Sequence, residues 1–387
     1  MSDTFDFDTP VDRRGSASYK WDSMPEGVLP MWVGDMDFKT APGIIEALRR
    51  RVDHGVFGYT RVPDEYYDAT VNWFERRHGW TIDRTHIIYT SGVVPAISAI
   101  IKAMTRPGDK VLVQTPAYNC FFSSIRNNGC RALCNLLTTD KSGYYTVDFD
   151  ALERQAADPD CRVMLLCNPH NPAGRVWSRD ELARIADICL RHDIFVIADE
   201  IHCELTYPGH DYTPWVTVND EMTQRSAICV SPSKAFNIAG LQIANIVAPD
   251  AAIRARIDRA INDNEVCDVN PFGVAATIAA YNGGEAWLDA LRGYLYDNYR
   301  LVCKVIGDNT ANCRVTPAEG TYLAWIDCRA TGLGSEALDT LLREKAGVQL
   351  SPGTIYGPGG DGFMRLNYAC LRDILRLGLD RIVTALK

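Results

Sequence analysis

The sequence has no basic excess, no long apolar run and no paired-cysteine motif. Lysine and arginine total 40 against 49 aspartate and glutamate, a formal charge of −9. With no global positive field to hold a phosphate backbone, nucleic acid is excluded as a main partner. No uncharged stretch stays apolar over the roughly 18 residues that a membrane span requires. The N-terminal MSDTFDFDTPVDRRG is acidic and carries no apolar segment, so neither an export signal nor a membrane anchor is expected, and the expected location is the cytoplasm. The 13 cysteines are odd in number, scatter from Cys120 to Cys370 and form no Cys-x-x-Cys pair. They read as small apolar residues of a reduced protein rather than disulfides, and no metal site is expected. Internal repeats, low-complexity tracts and Gly/Ser or Pro linkers are missing too. What remains is 387 residues, 47% hydrophobic and 23% charged, enough for two or three ordinary domains at about 150 residues each.

From Ile87 to Ala248 short β-rich apolar runs alternate with helical patterns. The runs are IIYT, KVLVQT, VMLLC, FVIA, AICVS and QIANIVA, with a helix from about Val93 and another carrying Leu182, Ile185, Ala186, Cys189 and Leu190 at helical spacing. Ser178 and Glu181 form a capping box that opens the second helix. This alternation predicts an α/β fold with a mostly parallel sheet. A helical pattern follows from Ala251 through Arg300, broken at Gly283–Gly284, and then a second α/β unit with TYLAWID and a helix from about Ser335. The expected division is an arm and part of a smaller unit over 1–45, a large domain over 46–282 and a smaller C-terminal domain over 283–387.

In an open parallel sheet ligands bind beyond the carboxyl ends of the strands. Asn168-Pro-His-Asn171 follows VMLLC, Asp199-Glu-Ile-His202 follows FVIA, and Ser231-Pro-Ser233-Lys234 follows AICV. Lys234 is the only charged residue between Ser226 and Pro249. Burial lowers a lysine pKa and frees the amine as a nucleophile, although a snorkelling lysine on a sheet edge fits the setting equally well. If the amine forms a Schiff base with pyridoxal phosphate, a carboxylate must keep the pyridine nitrogen protonated, and Asp199 suits that role as well as it suits a helix cap. Asn171 is placed to donate to the ring oxygen, or simply to make a turn. Thr90-Ser91-Gly92-Val93-Val94 ends a strand and opens a helix, a geometry for phosphate, and Ser231 and Ser233 add hydroxyls. Arg365, the lone basic residue of GFMRLNYA, suits a substrate carboxylate or a structural ion pair. Tyr118 suits stacking on a planar cofactor, though on its own it reads better as a core tyrosine. His202 suits cofactor contact or proton relay, and equally the interior.

Taken together, LPMWVGDMDF, FGYT, CNPHNPAG, ADEIHCEL, VSPSKAFNIAGLQ, EGTYLAWID and GFMRLNYA resemble, over nearly the whole chain, the fold-type I pyridoxal-phosphate superfamily. Within it they resemble the PatB/MalY group of cysteine-S-conjugate (cystathionine) β-lyases. The resemblance implies an aspartate aminotransferase-like fold, with a mostly parallel seven-stranded sheet in the large domain and a smaller α/β domain. It implies that Lys234 carries pyridoxal 5'-phosphate, Asp199 pairs with the ring nitrogen, Asn171 binds the ring oxygen and Tyr118 stacks. Gly92, Val93, Val94, Ser231 and Ser233 then hold phosphate, His202 contacts the cofactor, and Arg365 holds the substrate carboxylate beside Gly34, Asn171 and Tyr118. Tyr59 of FGYT resembles the tyrosine sent across a homodimer interface to the other subunit's phosphate. The implied activity is β-elimination from L-cysteine S-conjugates. His202 separates this group from many aminotransferases, which carry tyrosine there; Gly34 in place of the group's common alanine and Cys370-Leu371 in place of Cys-Pro or Ala-Pro depart from its pattern.

Two rival activities, an aminotransferase and a cofactor-binding regulator with little turnover, share most of these residues. Gly332-Leu-Gly334-Ser-Glu-Ala337 mimics a dinucleotide fingerprint, but CRAT separates it from TYLAWID and no acidic residue lies about 20 positions onward. It reads as a turn in which Ser335 caps the next helix.

Overall fold

The computed structural model describes residues 5–387, so the first four residues of the expected arm lie outside the described residues. The central sheet has seven strands: β1 Ile87–Thr90, β2 Lys110–Thr115, β3 Arg131–Leu136, β4 Cys161–Cys167, β5 Phe195–Asp199, β6 Ser226–Val230 and β7 Ala244–Val247. Their spatial order is β1-β7-β6-β5-β4-β2-β3. Strands β3, β2, β4, β5 and β6 run parallel, and β7 is antiparallel to both neighbours. Strands β6 and β7 are joined by 231–243, the segment that carries Lys234.

The apolar runs are continuous because both faces are covered. Val111, Val113, Val163, Leu165, Ile197 and Cys229 pack on one side, beneath helices α1 Val93–Met104, α2 Asn119–Asn127 and α4 Ala251–Asn262. Leu112, Met164, Leu166, Val196, Ala198 and Ile228 pack on the other, beneath α3 Arg179–Arg191. The capping box at the start of α3 forms as expected, Ser178 accepting from Glu181 N and Glu181 accepting from Ser178 N.

Further along, the helical pattern divides into α4, α5 Pro271–Gly283 and α6 Glu285–Asn309. At the break at 283–284 only glycine fits position 284, since a Cβ there would sit 2.4 Å from Phe236 Cε1 and 2.6 Å from Ala280 O. The pattern also breaks before Asn270, where the asparagine side chain accepts from Phe272 N and Pro271 starts α5. One expectation is corrected. Ser335 is the first residue of α7 Ser335–Leu341 rather than its cap. Its hydroxyl is buried and donates to Phe363 O at 2.9 Å, while Asp361 accepts from its amide at 2.9 Å.

A second, antiparallel sheet is built from β8 Arg314–Val315, β9 Leu323–Asp327, β10 Ser351–Pro352 and β11 Phe363–Asn367, in the order β8-β9-β11-β10. Trp325 on β9 lies opposite Arg365 on β11. The N-terminal segment joins this part of the molecule through Leu29–Pro30, which pairs in parallel with Val348–Gln349. No helix among the described residues is long and apolar enough to cross a membrane.

Candidate active site

The strand ends converge on a cavity of about 320 Å³. Gly92, Val93 and Val94 enter it from the start of α1, Tyr118 from the position preceding α2, and Asn171 from the loop after β4. Asp199 closes β5 and His202 follows on the next turn, while Ser233 and Lys234 come from the β6–β7 loop. Arg365 reaches in from the middle of β11, and Val33, Gly34 and Asp35 wall the side nearest the N-terminal segment.

Charge is unevenly matched here. Lys234 is half-buried, and its amine donates to Gly34 O at 2.7 Å. Burial, and then the charge of Arg365, hold its pKa below the usual lysine range. Asp199 is 5% exposed. Its carboxylate accepts from Ile201 N at 3.2 Å, and burial pushes its pKa up to about 7 against the small opposing effects of that bond and of Lys234. Arg365 is buried; its Nη1 donates to Asn171 Oδ1 at 3.1 Å and its Nη2 to Trp32 O at 3.0 Å, while its Nε finds no acceptor. Both partners are neutral oxygens, so among the described residues the guanidinium charge has no hydrogen-bonded counter-ion. His202, edge-on to Tyr322 at 6.0 Å, is pushed down to about 3 by burial and by the charges of Lys234 and Arg365, and is neutral near pH 7.

Two expected residues lie elsewhere. Ser231 does not line the cavity; its hydroxyl donates to Ile243 O at 2.6 Å and accepts from Ser233 N at 3.1 Å, which braces the lysine loop. Tyr59 is 100% exposed and outside this chain's cavity. Conversely, Tyr322 and Asp35 line the cavity without having been singled out. Tyr322 donates to the same Gly34 carbonyl as Lys234, also at 2.7 Å, and Asp35 accepts from Arg13 at 2.7 Å. Their motifs, EGTYLAWID and WVGDMDF, were legible, but nothing in a linear pattern says that Tyr322 faces a carbonyl 288 residues away.

These side chains fit pyridoxal phosphate on their own chemistry. Among the described residues the buried carboxylate has one backbone donor and no cationic hydrogen-bond partner, a half-buried amine is biased toward its neutral form, and Asn171 keeps its amide nitrogen free to donate once its oxygen is taken by Arg365. A helix N-terminus opens on the same cavity.

The chain belongs to the aminotransferase class I and II family, whose model matches residues 26–382. It is 42% identical over 385 residues to cystathionine beta-lyase PatB of Bacillus subtilis, covering 98% of this chain and 99% of that one. It is 36% identical over 390 residues to protein MalY of Escherichia coli, covering 99% of each. The crystal structure of cystalysin from Treponema denticola, which contains a pyridoxal 5'-phosphate cofactor, matches with a TM-score of 0.95 at 35% identity, again over 99% of each chain. The aspartate aminotransferase-like fold expected from the motifs is the fold observed.

Proposed function

We propose that this chain is a pyridoxal-phosphate-dependent carbon–sulfur β-lyase that cleaves cystathionine and related L-cysteine S-conjugates to a thiol, pyruvate and ammonia. The observation that carries the reading is the convergence of Lys234, Asp199 and Arg365 on one cavity. Arg365, free of any hydrogen-bonded counter-ion, binds the substrate α-carboxylate and so fixes the α-carbon relative to Lys234. Bound pyridoxal phosphate supplies an aldehyde for the amine and an electron sink for the negative charge left at the α-carbon. Asp199 would hold the proton on the ring nitrogen, Asn171 would donate to the ring oxygen from Nδ2, and Tyr118 would pack against the ring. Lys234 Nζ takes the α-proton, because desolvation favours its neutral form. The Gly34 carbonyl, kept in place by Tyr322, is the acceptor that orients that amine. Loss of the β-thiolate then breaks the C–S bond.

The assay that tests this mixes the loaded enzyme with cystathionine and no keto acid. Pyruvate and thiol are expected; product that appears only when a keto acid is added identifies a transaminase instead.

Asp199 makes a pH prediction for the cofactor-free protein. Its carboxyl protonates below about 7 when folded and below the ordinary aspartate value of 3.8 when unfolded. Between those values the folded state binds more protons, so stability falls as pH rises through the window. Relative to Asp199→Asn, the cofactor-free wild type is expected to lose roughly 2–4 kcal/mol between about pH 4 and pH 8. Urea unfolding at the two pH values checks it, and parallel losses in both proteins count against the assignment.

The working unit is a cytoplasmic homodimer with shared sites, divided near residues 45 and 282. Exposed Val56, Phe57 and Tyr59 support the dimer, and the pairing of Leu29–Pro30 with Val348–Gln349 supports grouping the arm with the C-terminal domain. Tyr59→Phe is expected to weaken cofactor retention during dialysis. Mixing Tyr59→Phe with Arg365→Ala chains is expected to restore some activity only if sites are shared.

A further inference from the structure

The turn after β5 serves two cavities. Asp199 and His202 line the catalytic one, whereas Cys203 and Glu204 line a second, of about 660 Å³, that shares no residue with it. His78, the last residue of the helix Asp64–His78, reaches the same place. One ligand atom from each of His78, Cys203 and Glu204 lies within 4.8 Å of the other two. Cys203 and Glu204 are buried, and the His78 side chain is 10% exposed. Imidazole nitrogen, thiolate and carboxylate are the donors that zinc takes, three from a protein with water in the open fourth position. At bond lengths of about 2.0–2.3 Å, tetrahedral ligands stand roughly 3.3–3.8 Å apart, so shifts of about 1 Å close the cluster on an ion. Glu204 is braced for this role. Trp73 Nε1 donates to its Oε1 at 2.6 Å and His78 Nε2 meets the same oxygen at 2.6 Å, while Oε2 accepts no hydrogen bond among the described residues. Arg77 Nε stands 3.4 Å from Oε2, but its terminal nitrogens pair with Glu285 and Asp289 at 3.1 and 3.0 Å, which balance its charge without Glu204.

We propose that His78, Cys203 and Glu204 bind a divalent cation of the zinc type, with the fourth coordination position open to the second cavity. On binding, the Cys203 S–H bond breaks, the metal–sulfur bond forms and the proton passes to water. The His78 ring keeps its proton on Nδ1 and turns the Nε2 lone pair to the ion, in place of its hydrogen bond to Glu204. One thiolate and one carboxylate then balance the charge of the cation. Trp73 holds the carboxylate from behind, as outer-shell donors do in metal sites. None of this depends on the lyase reading.

The test strips the holoenzyme with EDTA, titrates it with zinc chloride, and soaks its crystals in the same salt for diffraction at the zinc edge. The expected result is saturable zinc binding with proton release, and an anomalous peak between His78, Cys203 and Glu204. Cys203→Ser and His78→Gln, each retaining the cofactor band, are expected to raise the Kd for zinc about 100-fold or more, since outer-shell changes alone cost roughly 10–100-fold. An unchanged Kd in either variant overturns the proposal. Wild-type holoenzyme that takes up no zinc, or whose anomalous peaks all lie elsewhere, overturns it without recourse to any variant.

Discussion

Lys234→Ala is expected to be colourless after purification with excess pyridoxal phosphate and to form pyruvate about 10³-fold more slowly than wild type, within the range lost when a positioned acid–base group is removed. The wild type is expected to be yellow, and borohydride reduction followed by peptide mapping should find the cofactor on the peptide containing Lys234. The magnitude follows from two roles resting on one atom: Nζ both anchors the cofactor and takes the α-proton. Lys234→Arg separates charge from nucleophilicity, since a guanidinium keeps the positive charge but forms no such bond. It should resemble the alanine variant. A Lys234→Ala protein that keeps a borohydride-reducible chromophore would show that another amine does the work.

Arg365→Ala carries the second-largest expected effect. Its guanidinium is buried with Asn171 Oδ1 and Trp32 O as neutral partners and lies over the Tyr356 ring at 5.0 Å. Removing one member of a buried, hydrogen-bonded charge pair costs about 2–5 kcal/mol, which converts to a loss of roughly 30- to 5000-fold in kcat/KM. Because the substrate carboxylate is one partner, the loss should appear in kcat/KM for every L-cysteine conjugate, whatever its leaving group. The cofactor band should survive, which separates this variant from Lys234→Ala. Equal kcat/KM for the variant and wild type would remove Arg365 from the site.

The two predictions differ in how far they could be read before folding. Lys234 announced itself by isolation, as one charge in a 24-residue window of small and apolar neighbours. Even so, the sequence allowed a snorkelling surface lysine equally. The fold removes that option by covering both faces of the sheet and placing Gly34 O 2.7 Å from Nζ. Arg365 was legible as a lone cation in an apolar strand, but its pairing with Asn171 joins positions 194 residues apart. Ser231 shows the opposite outcome: a hydroxyl beside the lysine reads as a phosphate ligand, yet the antiparallel turn into β7 directs it to Ile243 O. Tyr322 shows what a linear reading omits, because an aromatic at the head of an apolar strand looks like core until its hydroxyl is seen to share an acceptor with the lysine.

By itself the sequence determined what depends on neighbours along the chain: the alternation of strands and helices, the buried parallel runs, the capping box at Ser178, and the polar residues that follow each strand. These are local because hydrophobic period and capping act over a few residues. The tertiary structure alone decided which strand-end residues share a cavity, which way the last strand runs, and how far burial moves each ionisable group. Desolvation and charge pairing depend on distance in space, and the atoms that set the pKa of Lys234 and Asp199 come from segments far apart in the chain.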